Sequence, residues 1–516
     1  MRDVIERLEL RWRGKKRVAP AHELRLEAIL NRADLRPRGL PPQAVFVIRE
    51  VRGLPPLTPT NVREWLARVQ DAIDRQYRST VQPMQQEAWR APSVLFRDPA
   101  AMLTCLVQDV ARGHTSRWYW RRLAGEAGAT PGGMLMRMAL EYARYLPAAL
   151  TDAQLKDAVA AAGLMDAPWI RRILKALQNE YHLPSLKLPD EADCSHTQER
   201  ERLHDAAHSS LSRREGDSLP EITPIWREWL PPLPSASPLV ELLLGLCTTL
   251  DHAPVLARRP SFAVQTDAWM AAQQQARGKA AEQPTPPESP VAHDPLHTKS
   301  GLQLQERVKA RRIRTSIDGI STRLGGAFYL LNLMKWLGLP HDWQTEQISP
   351  WDILAGLSLA LLGETPLPED RLWEWFAKQA QRDPKDPIGA GLQPPADYQA
   401  PSDWMERFSI EHAGSRLELT EKLSVSEGMR DWLEAATGCI RSLLVERTGT
   451  PDLSWLIKPA HVQASRMHLD VCFSLEAIDI NVRRAGLDLN PEWLPDFRCI
   501  VHFCYGEMPC SPHNSM

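Results

Sequence analysis

The sequence predicts an α+β protein that is predominantly α-helical, with two α-rich halves and small β elements near the N- and C-termini. Three observations predict this class. Apolar residues recur at helical spacing through most of the chain, they alternate with polar residues near both ends, and a disordered linker rich in Pro, Gln and Ala joins the two halves. With 516 residues, 43% of them hydrophobic, the chain is long enough to bury more than one core.

Residues 1–90 are predicted to form a small α+β domain. VIERLELRW, residues 4–12, alternates apolar and polar side chains as a half-buried strand does, and AVFVIREV, residues 44–51, is typical of a more buried strand. A short helix is expected between them. A longer helix follows, where Asn61 and Glu64 have the spacing of a capping box.

Residues 91–184 are predicted to form a helical domain of short helices. Asp98 is a good N-cap, and Gly113 fits the position just after the end of the same helix. Thr151 is predicted to cap a later helix that ends at Gly163.

Three segments connect this domain to the second half. Residues 185–235 are polar and contain proline, which predicts a loop or linker. Residues 236–270 form a helical segment that Ser237 is expected to cap. Residues 271–307 almost lack aromatic and large aliphatic side chains, so they bury too little surface to offset the entropy of ordering, and we predict a disordered linker.

Residues 308–450 are predicted to form a second helical domain. Residues 322–339 have the pattern of one buried helix, and residues 349–363 that of another, with Ser349 as its N-cap.

A C-terminal β-containing segment, residues 451–505, is expected next. Residues 467–473 alternate apolar and polar side chains, residues 497–505 are typical of an apolar strand, and a short helix between them ends at Gly486. Residues 506–516 are predicted to be a flexible tail.

Charge and composition limit the class of partner and the compartment. The 62 basic and 64 acidic residues nearly cancel, so no global field attracts the chain to nucleic acid or to an anionic membrane. The first residues are charged and lack the apolar region of a secretory signal, which predicts a cytoplasmic protein. The most apolar stretch, residues 324–339, is shorter than the ~20 residues of a membrane span. Eight cysteines without a C-x-x-C pair predict reduced, mostly structural thiols.

One short stretch combines aromatic and basic residues. If it is helical, Trp118 and the arginines three and four residues later share one side, while Trp120 points about 160° away. We therefore expect one tryptophan in the core and one at the rim of an interface. The interaction candidates are Trp118, Tyr119, Trp120, Arg121 and Arg122. The excess of tryptophan in the chain, 18 residues, also favours a protein that works by contact.

Residues near the C-terminus include six candidate zinc ligands: His468, Cys472, Cys499, His502, Cys504 and Cys510. Zinc ligands usually come in pairs about two to four residues apart on a turn. Here His502 and Cys504 share one face of a predicted strand and Cys499 faces the other way. We therefore interpret these residues as core thiols and a solvent-facing histidine.

Other motifs do not predict catalysis. GISTRLGG, residues 319–326, lacks the lysine of a phosphate-binding loop, so its glycine pair is expected to permit close helix packing. GLSLA, residues 356–360, lies within a predicted helix and not at a strand-to-helix turn. Basic clusters at residues 11–17 and 309–314 are typical of solvated surfaces. We predict no catalytic residue, no bound cofactor and no metal.

Several blocks together resemble a protein family of gene clusters for extracellular contractile injection systems, which are phage-tail-like particles. The blocks are IERLELRW, VFVIREV, VLFRDPAAMLTCLVQDVARG with RWYWRR, STRLGGAFYLLNLMKWLGL, SPWDILAGLSLALLG, and DINVRRAGLDLNPEWLP with CIVHFCY. They cover about half of the chain. The order of elements is also loosely similar to tape-measure-like proteins of such clusters, although those should contain one long continuous helix.

The resemblance implies a non-enzymatic role in assembly, scaffolding or cargo handling. Its partners would be other proteins of the particle: tube, sheath, baseplate or cargo. Two alternatives stay open from the residues alone. One is an enzyme or toxin-like cargo with an active site around His461, His468 and Asp470, and the other is weak binding to nucleic acid, which the balanced charge does not favour.

Overall fold

The computed structural model describes residues 28–30, 33, 35–51, 54, 62–83, 88–124, 130–186, 223–282, 319–338, 348–362, 367, 369–387, 390, 392 and 427–506. The chain divides into two compact units, Met1–Ile173 and Leu174–Met516. Helix predominates and the strands form two small sheets, which confirms the predicted fold class. The predicted strand at 4–12 and the tail after Gly506 lie outside the described residues.

Unit 1 begins with a two-stranded antiparallel sheet, β1 (Val45–Ile48) and β2 (Ser93–Phe96), joined through helix α1 (Val62–Arg78). On one face of the sheet Phe46 and Ile48 pack against the apolar side of α1. Strand β1 was predicted. Strand β2 was not, because its four residues precede a strong helix signal and contain no alternation.

Helices form the rest of unit 1: α2 (Pro99–Ala111), α3 (Trp118–Ala124), α4 (Pro131–Glu141), α5 (Leu146–Asp152), α6 (Leu155–Gly163) and the start of α7 (Ala167–Tyr181). The predicted ends of α2 are confirmed. Asp98 Oδ1 accepts a hydrogen bond from Ala101 N at 2.8 Å, and Gly113 takes the left-handed conformation with φ 74°.

The predicted cap at Thr151 is wrong. Thr151 lies inside α5, where its hydroxyl donates to Pro147 O at 2.9 Å, and not at the start of the next helix. Helix α6 instead begins after Gln154, whose side chain makes no capping bond.

The first part of unit 2 is helical, with α8 (Pro238–His252), α9 (Pro254–Ala257) and α10 (Pro260–Glu282) following the end of α7. Ser237 Oγ accepts from Val240 N at 3.2 Å, which confirms the predicted cap of α8. Residues 271–282, predicted to belong to the disordered linker, continue α10 as helix. Their alanines and glutamines favour helix once the apolar first half of α10 has nucleated it. The rest of that linker lies outside the described residues.

The second part of unit 2 is built on a five-stranded mixed sheet in the order β3-β4-β5-β7-β6. Its strands are β3 (Ile320–Thr322), β4 (Ala460–Ala464), β5 (His468–Phe473), β6 (Glu492–Leu494) and β7 (Cys499–Tyr505). Strands β5 and β7 pair in parallel, and the other pairs are antiparallel. A short helix, α15 (Ile480–Arg484), precedes β6, and Gly486 follows it with φ 72°, as predicted.

The helix predicted over residues 322–339 is shorter than expected. Residues 320–322 are strand β3, a 3-10 turn runs over Gly325–Tyr329, and only α11 (Leu330–Leu337) is α-helical. The glycine pair does permit close packing, although its neighbours are the 3-10 turn Ser454–Leu456 and the start of β4 and not an α-helix. A Cβ on Gly326 would lie 1.9 Å from Trp455 O. This close approach fixes the turn before α11.

One face of the sheet is apolar and packs on α11 and three further helices, α12 (Pro350–Leu362), α13 (Arg371–Gln379) and α14 (Glu427–Thr448). Tyr329 lies at the centre of this core, stacked on Phe473 at 5.0 Å and edge-on to Phe503 at 5.2 Å. Such aromatic pairs add stabilisation beyond the area they bury.

Buried ion pairs tie the helical part of unit 2 to the sheet. Arg466, just before β5, binds both carboxylate oxygens of Asp251 on α8 at 2.7 and 2.8 Å. Arg258, after α9, pairs with Asp496 between β6 and β7. Because all four side chains are largely shielded from water, removal of one partner would leave a buried charge. Within the described residues, no helix combines the length and apolarity of a membrane span.

We predict that Gly326→Ala lowers the midpoint of thermal unfolding. The new Cβ would meet backbone atoms that cannot move as a side-chain end can, and overpacking of this kind costs about 1–3 kcal/mol. Gly163→Ala is the matched control, since no described atom lies within 4 Å of its Cβ, and alanine should be neutral or slightly stabilising there. Calorimetry distinguishes the two, and equal midpoints would contradict the close approach.

Candidate functional site

The interaction candidates predicted from the sequence divide into core and surface. Tyr119 and Trp120 on α3 are fully buried, Trp118 is half-buried, and Arg121 and Arg122 are exposed. Trp120 is the expected tryptophan in the core, while the expected interface at Trp118 stays a prediction. Burial nevertheless removes Tyr119 and Trp120 from the interaction candidates, because neither side chain can reach a partner.

Packing against the small sheet of unit 1 explains this burial. Phe96 of β2 lies 5.5 Å from the Trp120 ring and 6.0 Å from the Tyr119 ring, measured between ring centres. These rings cover the face of the β1–β2 sheet opposite to α1. Trp120 is therefore part of the buried core of unit 1.

A buried carboxylate organises the polar atoms of this cluster. Asp109 on α2, with a side chain only 8% exposed, accepts hydrogen bonds from Trp120 Nε1 at 2.7 Å and Arg117 Nη1 at 2.9 Å. Arg117 also donates to Tyr119 OH at 3.0 Å. Burial, reinforced by the nearby Asp109 charge, raises the pKa of Tyr119 to about 12, so its hydroxyl stays neutral. The arrangement is a closed structural network.

The part of this stretch that remains at the surface is Trp118 with the two arginines. Arg121 Nη2 donates to Ser116 O at 3.1 Å, which holds that side chain along α3. The indole N–H of Trp118 is shielded from water and finds no acceptor among the described residues. Contact through Trp118 stays a prediction.

A second surface, which the sequence analysis missed, exposes large apolar side chains in unit 2. Trp336 and Leu489 both approach Gly486, and Leu475, Ile478 and Ile480 are exposed in the chain segment that leads to this glycine. We call these five side chains the apolar patch. Ile480 is 71% exposed and Leu489 63%. Monomeric soluble proteins seldom gather such side chains unless the surface binds something.

Hydrogen bonds hold the two segments of the apolar patch together. Asn332 on α11 is buried and its Nδ2 donates to Leu487 O at 2.8 Å and to Leu489 O at 2.7 Å. Trp336 and Leu489 both lie within about 4 Å of a Cβ built on Gly486. The guanidinium of Arg447 stacks 4.5 Å from the centre of the Trp336 ring. The fold thus holds Trp336 and Leu489 of the patch in place.

The face of the five-stranded sheet opposite to the core carries a third feature. We call it the polar face, and it comprises Ser321, His461, Gln463, His468, Asp470, Cys472, His502 and Cys504, which strand pairing places side by side. The predicted alternation of residues 467–473 is confirmed, with Leu469, Val471 and Phe473 in the core. As predicted, Cys499 faces the core and not this side.

The histidines of the polar face have opposite electrostatic environments. His502 Nδ1 lies 3.4 Å from Asp470 Oδ1, and the carboxylate raises the pKa of His502. His461 contacts Ser321 Oγ at 3.3 Å, and burial lowers the pKa of this imidazole. His502 therefore gains a proton more readily than His461.

Two cysteines lie next to these histidines. Cys472 on β5 and Cys504 on β7 are directly opposite each other in the parallel register, and both are half-buried free thiols. The Cys472 thiol donates a hydrogen bond to Cys504, which lowers the pKa of Cys504 to about 7 and raises that of Cys472. Burial and the Asp470 carboxylate oppose the Cys504 thiolate, and the protonated form of His502 favours it. The sequence identifies both cysteines as candidate ligands, but only the strand register places them opposite each other.

The zinc alternative gains no support from this arrangement. No group of three His, Cys, Asp or Glu side chains among the described residues is placed to hold a metal ion. Cys510 and the basic clusters at 11–17 and 309–314 lie outside the described residues.

Two further motifs have structural explanations. Residues 319–326 form β3 and a turn. Ser358 is buried inside α12, where its hydroxyl donates to Leu354 O at 2.6 Å, so it is not a nucleophile at a sharp turn.

A pocket does occur in unit 2, away from the polar face. It lies between α12 and α13, with Asp370, Trp373, Arg382 and Asp386 in its wall. Arg382 is engaged there by buried Asp352, whose carboxylate accepts from Arg382 Nε at 2.9 Å. The enzyme alternative named His461, His468 and Asp470, and none of the three lines this pocket.

Comparison of the chain with protein-family models, with curated protein sequences and with solved structures returns no significant match.

We predict that Asp109→Ala lowers the free energy of unfolding by about 3–5 kcal/mol, because it leaves the Arg117 charge and the Trp120 N–H without their shared acceptor. Urea unfolding followed by tryptophan fluorescence measures this change. Arg121→Ala, at an exposed position of the same cluster, is the control and should change stability by less than about 0.5 kcal/mol. Similar effects of the two substitutions would refute the network.

We predict that His502 titrates above its ordinary pKa of 6.5 and His461 below it. NMR titration of the imidazole signals, assigned with His502→Gln and His461→Gln, measures both. Asp470→Asn should move the pKa of His502 down. Because the folded-state pKa of His502 is raised, its contribution to stability is present below pH 6.5 and disappears as pH rises through the raised value. An unshifted His502 would contradict the ion pair.

Proposed function

We propose that this chain is a non-enzymatic assembly, scaffolding or cargo-handling protein of a phage-tail-like contractile injection system. It acts in the cytoplasm through protein–protein contacts with tube, sheath, baseplate or cargo proteins. The resemblance of its sequence blocks to the family of such gene clusters motivates the proposal. The observation that carries it is the apolar patch, a set of exposed large apolar side chains of which the fold holds Trp336 and Leu489 side by side.

The apolar patch has the composition of an interface centre. Trp336 is 41% exposed and supplies a large rigid ring, and the aliphatic side chains around it add area that loses little conformational entropy on binding. Interface residues of this kind carry most of the binding energy when they are surrounded by a polar rim. Here the rim includes Arg447, which already stacks on Trp336.

The charge beside the patch selects the kind of partner. Arg447 and Arg484 are exposed, and Arg484 lies one helical turn from Ile480 on α15. A second copy of this chain, docked through the same patch, would bring two rims that each carry Arg447 and Arg484 together, with Glu476 as the exposed acidic residue among Leu475, Ile478 and Ile480. A different protein with an apolar anchor and acidic rim residues matches the surface better. We therefore assign the patch to another component of the particle.

The surface of unit 1 adds a smaller second candidate. Trp118 with Arg121 and Arg122 offers one aromatic ring and two exposed guanidiniums, a combination common at interface hot spots. It supports the same type of function as the patch and needs no separate mechanism.

Co-purification tests the proposal. The tagged full chain is co-expressed with the tube, sheath and baseplate proteins of the same genome, and we expect one of them to purify with it in fixed stoichiometry. Ile480→Asp and Leu489→Asp should each reduce this association at least about tenfold, since a carboxylate would be buried without a partner.

Val264→Asp is the matched control. Val264 is 68% exposed on α10 and is equally apolar but lies outside the patch, so its substitution should leave association unchanged. Circular dichroism confirms that all three variants fold. If no particle protein associates, or if the patch and control variants bind alike, the proposal fails.

A further inference from the structure

The polar face of the sheet contains a pair of thiols with the geometry of a disulfide precursor. Neighbouring strands lie about 4.8 Å apart, and Cys472 and Cys504 are opposite each other with side chains on one face. That spacing falls within the Cα separation of about 4.4–6.8 Å that a disulfide requires. A bond between the two sulfurs would therefore need little movement of the backbone.

The other described cysteines differ from this pair in position and environment. Cys105, Cys247 and Cys499 are buried in apolar cores, and burial raises the pKa of Cys105 and of Cys499 to about 12. Cys439 on α14 is half-buried, and burial raises its pKa to about 11. None of the four has a second cysteine in register across a strand pair.

The groups around the pair act in both directions: burial and the Asp470 carboxylate raise the pKa of Cys504, while Cys472 and His502 lower it. His502 is two residues before Cys504 on the same face of β7, and Asp470, 3% exposed, holds its imidazole. An imidazolium beside a thiol stabilises the thiolate, which is the nucleophilic form. Both sulfurs belong to residues that are partly exposed, so a small reagent can approach them.

We propose that Cys504 and Cys472 form a thiol–disulfide exchange site for low-molecular-weight disulfides of the glutathione type. Cys504 is the attacking residue, Cys472 is the resolving residue, and His502 is a positioning residue. This inference goes beyond the proposed assembly function and stands or falls independently of it.

The exchange proceeds in two balanced steps. The Cys504 thiolate attacks one sulfur of the small disulfide, which forms a mixed disulfide and releases one small thiolate that takes up a proton. Cys472 then loses its proton to solvent or to neutral His502, and its thiolate attacks the Cys504 sulfur. The second small thiol leaves, so two protein thiols are oxidised to one disulfide while one small disulfide is reduced to two thiols.

Mass spectrometry of the full chain tests the proposal. Cys194 and Cys510 are first replaced by serine, and the folded protein is equilibrated with oxidised and reduced glutathione. We expect one intramolecular disulfide, mapped to Cys472 and Cys504 by peptide analysis. Cys472→Ser should instead accumulate a single glutathionyl group on Cys504, and Cys504→Ser should accumulate neither product. Cys439→Ser is the control and should oxidise as the parent does.

Alkylation rates provide a second measurement on the unaltered pair. At pH 7, Cys504 should react with iodoacetamide roughly 50- to 100-fold faster than Cys439, because the thiolate fractions differ greatly while thiolate nucleophilicity falls less steeply with pKa. Absence of the Cys472–Cys504 disulfide in excess oxidised glutathione would overturn the proposal. So would alkylation of Cys504 no faster than that of Cys439 in the folded protein.

Discussion

The parallel register between β5 and β7 is the constraint on which the second unit depends. It brings Leu469 beside Val501 and Val471 beside Phe503 on the core face, and it brings Asp470 beside His502 and Cys472 beside Cys504 on the other. Because side chains alternate with a period of two, a slip of one residue would turn the carboxylate and the thiol into the core. Because burial of these polar groups in the core would cost free energy, only one register is stable. The geometry of the thiol pair is thus a by-product of the packing of the core.

The same unit relies on buried charge where apolar packing ends. The ion pair of Arg466 and Asp251 joins the start of β5 to α8. The ion pair of Arg258 and Asp496 joins the end of α9 to the connection between β6 and β7. Such pairs add little net stability over an apolar contact, but they penalise any arrangement that separates the partners. In the first unit Asp109 has this role, since its carboxylate is the shared acceptor for Arg117 and Trp120. Both units therefore use a buried aspartate to specify one packing.

Sequence alone could predict what depends on local chemistry. The caps at Asp98 and Ser237, the left-handed glycines at 113 and 486, and the alternation in β5 follow from side chains and backbone preferences within a few residues. What it could not predict depends on distant partners. Strand β2 is short and acquires its conformation from β1, and the turn at residues 325–329 exists because the 455–456 backbone presses on it. One feature of the sequence does indicate a structural role for Asp109. Its carboxylate lies in the apolar last turn of a helix, where the helix dipole disfavours negative charge.

The candidate surfaces illustrate why composition misleads about function. The stretch from Trp118 to Arg122 is rich in residues that are common at interfaces, yet two of its three aromatic rings are buried and stabilise the fold. Burial of Trp120 is favourable because its N–H has a buried acceptor, so the ring leaves water without losing a hydrogen bond. The apolar patch, by contrast, combines Trp336 of α11 with leucines and isoleucines from residues 475–489, a distant part of the chain. Only the tertiary structure leaves them without a core to enter. A contact surface consists of the apolar side chains that the fold leaves exposed. Their exposure depends on the tertiary structure, so a short stretch of sequence does not show it.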